Sequence, residues 1–224
     1  MNTALTADGD TVFFGGSFDP PHRGHLAIAA AALDSGMCRS VAWVPAYAPP
    51  HKNSHRAPFA DRAAMTRLTI SGRKDMYLSG IEEELALSPS YTFDVIDAWV
   101  RRHGSVPALL IGADSLLELH NWHRGSELAE RCRILTYPRR GYPVSGKALA
   151  EHWKPKMVEK LLSGMIHGDF FEISSSELKS AMEKFTVTGD IMNVKDFLAP
   201  DVVDYIRRRS LYFGAAPETA REEC

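Results

Sequence analysis

Apolar positions along the chain fall into short continuous runs, and between them lie stretches where apolar residues recur every three or four positions. Thr11 to Gly15 is one such run, and the Ala/Leu-rich stretch from about His22 closes at Asp34-Ser35-Gly36, a helix stop signal. Ser40 to Pro45 is a second short, wholly apolar strand candidate. Strand, helix, strand in that order predicts a right-handed parallel crossover. A ligand crevice is then expected beyond the carboxyl ends of the strands. Further along, Pro58 to Ile70 predicts a helix, Met76 to Ser79 a third strand, and Ser90-Tyr91-Thr92 the opening of a helix that runs to about His103. Ala108 to Ile111, followed by Gly112 and Asp114, is the clearest central strand, and Arg133 to Pro138 predicts a fifth. A helix is expected over roughly Lys147 to Leu162, then a short strand at Phe170 to Ile173. Ser174 with Glu177 three positions later is a capping-box pattern that starts another helix. The last helix opens at Pro200 and ends in Arg207-Arg208-Arg209, cations that suit a helix C-terminus better than a nucleic acid.

The totals narrow the classes. A chain of 224 residues fits one domain, expected over residues 11–213, with a flexible start at 1–10 and a disordered tail at 214–224. With 26 basic and 28 acidic residues the net charge is −2, so no nucleic-acid partner is expected and phosphate recognition must be local. Cys38, Cys132 and Cys224 form no CxxC pair, which points to a reducing compartment rather than a disulfide framework or zinc cluster. No stretch approaches the ~20 apolar residues of a membrane span, and no secretory pattern opens the chain. The expected location is cytoplasmic, and a homo-oligomer is compatible with the sequence.

Candidate chemistry concentrates in Gly15-Gly16-Ser17-Phe18-Asp19-Pro20-Pro21-His22-Arg23-Gly24-His25. Paired glycines let main-chain N–H groups approach a ligand closely. His22 and His25, three apart at a helix start, can present both rings on one side, where the helix amides add partial positive charge. Bare backbone, two imidazoles and a helix start suit a polyphosphate undergoing substitution at phosphorus. A metal site on the two histidines lacks a third ligand at sensible spacing. Elsewhere the residues leave alternatives open. Lys52 is either a phosphate contact or a solvated lysine on a proline-stiffened loop. Asp114 either accepts ribose hydroxyls or caps the next helix, and Trp122 is either a stacking face or core. Glu82-Glu83-Glu84 reads as a solvated turn. Gly141 to Ala148 matches GxxxxGK but lacks the hydroxyl that a P-loop places on magnesium.

The string GGSFDPPHRGHL resembles the signature of the HxGH nucleotidyltransferases, and more narrowly that of the bacterial nicotinate-nucleotide adenylyltransferase family. The resemblance covers about residues 11–213. Ile173-Ser174-Ser175-Ser176-Glu177-Leu178-Lys179 resembles the family's second motif, with Ser176, Leu178 and Lys179 standing where the family has Thr, Ile and Arg. It implies a Rossmann-like, doubly wound α/β fold, a mainly parallel sheet with helices on both faces. The implied reaction is adenylyl transfer from ATP to nicotinate mononucleotide, with Mg²⁺ bound mainly through substrate phosphates. His22 and His25 are the implied catalytic pair. The implied ATP contacts are Gly15, Gly16, Ser17, Phe18, Gly112, Asp114, Ser174, Ser175, Ser176 and Lys179, besides the two histidines. Lys52, Tyr91, Thr92, Trp122 and Arg139 are implied for the mononucleotide. Rival readings keep the fold and change the acceptor, to nicotinamide mononucleotide or another phosphorylated compound, or keep binding without turnover, as in a nucleotide sensor.

Overall fold

The computed structural model describes residues 10–48, 56–167 and 175–212, and of Ser175, Ser176, Glu177 and Lys179 the backbone alone. The chain runs β1 (Thr11–Gly16), α1 (Arg23–Asp34), β2 (Ser40–Pro45), α2 (Phe59–Thr69), β3 (Met76–Leu78), α3 (Ile81–Leu85), α4 (Thr92–His103), β4 (Ala108–Gly112), α5 (Ala113–Glu118), α6 (Gly125–Arg131), β5 (Ile134–Tyr137), α7 (Gly146–Ala150), α8 (Pro155–Ser163), α9 (Ser175–Thr188) and α10 (Pro200–Arg208). Among the described residues the five strands form one sheet in the order β3-β2-β1-β4-β5, every pair parallel. That is the expected Rossmann-like α/β architecture. The strand order reverses between β1 and β4, so their carboxyl ends flank the natural crevice.

Alternation along the strands explains why both faces are covered. Phe13, Ala42, Val44, Leu109, Ile111 and Ile134 point to one face, where Phe93, Ile96 and Trp99 of α4 and Val158 and Leu161 of α8 pack on them. Val12, Phe14, Val41, Trp43, Leu110 and Leu135 point to the other, against Ala29 and Ala32 of α1. A strand buried on both sides must be apolar throughout, which is why these segments read as unbroken hydrophobic runs. A third cluster sits apart from the sheet: Met65 of α2, Leu178, Met182 and Phe185 of α9, and Val202, Val203 and Ile206 of α10. It docks α9, and with it the second family motif, to the rest of the molecule.

Several sequence expectations change. The helix expected over Lys147 to Leu162 is two helices, α7 and α8. Pro155 has no N–H to continue a helix and holds Lys154 extended (ψ 153°), so the chain restarts there. Within the GxxxxGK string, Ser145 caps α7 by accepting the Ala148 N–H at 3.2 Å, so this segment is a turn and a helix start. Glu82-Glu83-Glu84 is no solvated turn either. It lies in α3, with Glu82 buried. Asp114 does not cap α5, because Gly112 holds that position and Asp114 falls in the first turn. The strand expected at Phe170 to Ile173 and the tail at 214–224 lie outside the described residues.

Candidate active site

A cleft of about 460 Å³ opens beside the carboxyl end of β1. Gly15, Gly16 and Ser17 form one wall, Ser90, Tyr91 and Thr92 another, and Asn121, Trp122 and His123 a third, with Ala46 and Glu82 at the back. A Cβ on Gly16 would lie 3.1 Å from the Phe18 ring, tighter than ordinary packing, so that ring would have to shift to accept one. The α4 helix begins at Thr92 with no side-chain cap from Tyr91, so its first N–H groups remain available. Trp122 packs in part on the core and in part lines the cleft. Tyr91 stacks on His123 with ring centroids 4.3 Å apart. Gly125 makes this turn possible, because a Cβ on it would fall 1.9 Å from the Leu119 carbonyl oxygen. A second concavity, lined by Phe93, Asp97, Arg124, Glu127, Glu130 and Arg131, is closed by its own ion pairs, Arg131–Asp97 at 2.8 Å and Arg124–Glu127 at 2.5 Å.

His22 and His25 do not line the apolar cleft. They lie beyond Gly15 to Ser17 at the start of α1, both half-buried, with ring centroids 3.6 Å apart. The His25 ring stands edge-on to Phe18 at 5.1 Å and near Phe14 at 6.2 Å. Phe18 is 1 % exposed, so of the residues expected to touch ATP it offers only main chain, and its ring supports His25. The His22 main-chain N–H donates to His25 Nδ1 at 3.3 Å. In the neutral ring that leaves the proton on Nε2. His22 differs. Its Nδ1 is buried without a hydrogen-bond partner, and burial, helped by the Arg139 guanidinium, lowers its pKa to about 4.

Asp114 and Arg139 were expected on different substrates, yet they form an ion pair at 2.6 Å. They follow β4 and β5, whose ends are paired at Gly112 and Tyr137, so the pair sits on the same rim as the histidines' strand. Lys52 and Ser174 lie outside the described residues. Ser175, Ser176 and Lys179 fall in the first turn and a half of α9, and their side chains are not described. Among the described residues, no cluster of three or more His, Cys, Asp and Glu side chains is arranged to hold a metal. No helix among them is long and apolar enough to cross a membrane.

The cytidylyltransferase-like family model matches residues 13–181. A Sodalis glossinidius protein described as a probable nicotinate-nucleotide adenylyltransferase is 42% identical, over 90% of this chain and 96% of its own length. A Gloeobacter violaceus protein with the same description is 34% identical, over 89% of this chain and 94% of its own. This chain belongs to the nicotinate-nucleotide adenylyltransferase family. Its fold is also that of the Plasmodium falciparum nicotinic acid mononucleotide adenylyltransferase complexed with NaAD, at a TM-score of 0.71 and 19% identity, covering 91% of this chain and 98% of the other.

Within this family member, the sequence reading passed over four polar cleft residues. Ser90 stood in a quoted motif without a role, and Asn121 and His123 flank Trp122. Glu82 was hidden among like neighbours, and its burial is a tertiary fact. The unpartnered His22 carries a consequence for stability. The unfolded chain takes up this proton near pH 6.5 and the folded protein only near pH 4. Between those values the unfolded state binds more protons, so stability is full above pH 6.5 and falls as the pH drops toward 4. His22→Gln is expected to flatten that decline, as read from thermal midpoints across the window. An unchanged slope would contradict a neutral, buried His22.

Proposed function

We propose that this chain transfers the adenylyl group of ATP to nicotinate mononucleotide, giving deamido-NAD and pyrophosphate, a step of NAD biosynthesis. The observation that carries the reading is the cleft itself. It joins an aromatic face (Trp122), an uncapped helix start (Thr92) and bare main chain (Gly15, Gly16, Ser17) in one space suited to a pyridine nucleotide with an anionic substituent.

An oxygen of the mononucleotide phosphate attacks the α-phosphorus of ATP, and the bond from that phosphorus to the bridging oxygen of the β-phosphate breaks. The electron pair leaves with pyrophosphate. The attacking phosphate has a second pKa of ~6 and is already anionic near neutral pH, so no strong base is required. The work is positioning two polyanions and stabilising the charge that moves onto the departing group. His25, held by the His22 amide and braced by Phe18, offers an Nε2–H to that charge. His22 is neutral when no ligand is bound and can take up a proton once phosphate brings negative charge beside it. Arg139, kept in place by Asp114, adds cationic charge past the end of β5. Gly112, Ser174, Ser175, Ser176 and Lys179 complete the ATP side in this reading, and Lys52 the acceptor phosphate.

A divalent cation, Mg²⁺ in this reading, would be held mainly through the ATP phosphates and would supply charge neutralisation there. The donors on this rim fit an ion that keeps most of its ligands on phosphate and water, because the Asp114 carboxylate is already engaged with Arg139 at 2.6 Å.

Side-by-side turnover with nicotinate and nicotinamide mononucleotides, followed by pyrophosphate release, tests the acceptor. The acid is expected to be preferred, since helix-start amides favour a carboxylate over a neutral amide. Preference for the amide would replace the acceptor and leave the fold and ATP side intact. Trp122→Ala is expected to raise the mononucleotide KM roughly tenfold or more, because base stacking on an aromatic is worth ~1–3 kcal/mol. An unchanged KM would return Trp122 to the core.

A further inference from the structure

Glu82 is the one buried acid in the cleft wall, and its connections run to both sides of the acceptor space. Its Oε2 accepts the Tyr47 main-chain N–H at 2.8 Å and the Ser90 hydroxyl at 2.7 Å. Ser90 in turn accepts the Ala48 N–H at 3.3 Å and donates its own main-chain N–H to the Ala48 carbonyl at 2.8 Å. A single carboxylate therefore fastens the exit of β2, residues 46–48, to Ser90, two residues before α4. Two acceptor lone pairs matched to two donors, one of them main chain, fix this geometry more tightly than packing alone.

We propose that Glu82 is a positioning residue for the phosphorylated pyridine acceptor: it sets the two walls of the cleft as one unit. The proposal rests on the adenylyl transfer reading above. Burial raises the Glu82 pKa, opposed by the two hydrogen bonds and the nearby Arg62 charge. The role proposed for it follows from where its oxygen sits.

The test is steady-state kinetics by pyrophosphate release, varying ATP and nicotinate mononucleotide separately, on the wild-type protein and on Glu82→Ala, Glu82→Gln and Ser90→Ala. Glu82→Ala is expected to raise the mononucleotide KM about tenfold and to leave the ATP KM within about twofold. The Gln oxygen can accept the same two donors, so Glu82→Gln is expected to recover most of that loss. Ser90→Ala, which cannot empty the core, is expected to reproduce the Ala effect in part and covers the case in which Glu82→Ala fails to fold. An unchanged mononucleotide KM in Glu82→Ala or Ser90→Ala, or equal rises for both substrates, overturns the positioning role while wild-type turnover stands. Absence of wild-type turnover with nicotinate mononucleotide overturns the reaction and the proposal together.

Discussion

Replacing His25 with alanine is expected to lower kcat about a hundredfold or more, the usual consequence of removing one donor aimed at developing charge. The ATP KM is expected to stay within about threefold, since a donor that strengthens its bond in the transition state contributes little to ground-state binding. The physical basis is the way the ring is held. Its Nδ1 is occupied by the His22 N–H, its ring meets Phe18 edge to face, and the His22 imidazole lies against it at a tilt of 33°. An imidazole fixed on three sides loses little freedom when phosphate arrives. Near-normal turnover in His25→Ala, measured with both substrates saturating, would remove His25 from the chemistry. A fall confined to ATP affinity would make it a binding residue only.

The second large effect concerns stability. Arg62 is 1 % exposed, yet its guanidinium makes no close ion pair among the described residues. It donates to three main-chain carbonyls: Ser17 at 2.7 Å, Ala46 at 2.8 Å and Ala57 at 3.2 Å. Those oxygens belong to the loop after β1, the exit of β2 and the approach to α2, so one side chain ties together three segments around the site. Burial lowers the Arg62 pKa, with the charges of Asp19, Tyr212 and Glu82 opposing the drop. Arginine stays charged regardless, its pKa in water being above ~12. Arg62→Met keeps the volume and strands three carbonyls. The lost donors outweigh the relief of a buried charge, so a destabilisation of about 3 kcal/mol is expected. For a chain of this size that corresponds to a fall in Tm of roughly 10 °C by calorimetry. A change of only a few degrees would mean that water replaces the guanidinium and that the three segments do not depend on it.

Much of the fold was legible because buried parallel strands must be apolar throughout, and residues such as Val41 to Val44 or Leu109 to Ile111 have no other use. The loop after β1 was legible as a candidate site for a related reason: Gly15-Gly16 followed by two histidines at helical spacing combines features that packing alone seldom demands. Long-range pairings were the illegible part. Nothing local says that Asp114 meets Arg139, 25 residues away, or that Glu82 and not Glu83 or Glu84 turns inward. On a helix as short as α3, adjacent acids differ only in which direction the turn aims them, and the packing of Ile81 decides that. The break between α7 and α8 is another matter. Pro155 carried the signal, and the apolar periodicity running through it masked the stop.

The hydrogen bond from the Tyr212 hydroxyl to Asp19, 2.6 Å long, spans 193 positions and fastens the loop after β1 to the segment after α10. During synthesis that loop emerges long before Tyr212 and stays without this clasp until Tyr212 has been made. A partly made chain with its sheet in place therefore still lacks one fastening of the loop that precedes His22.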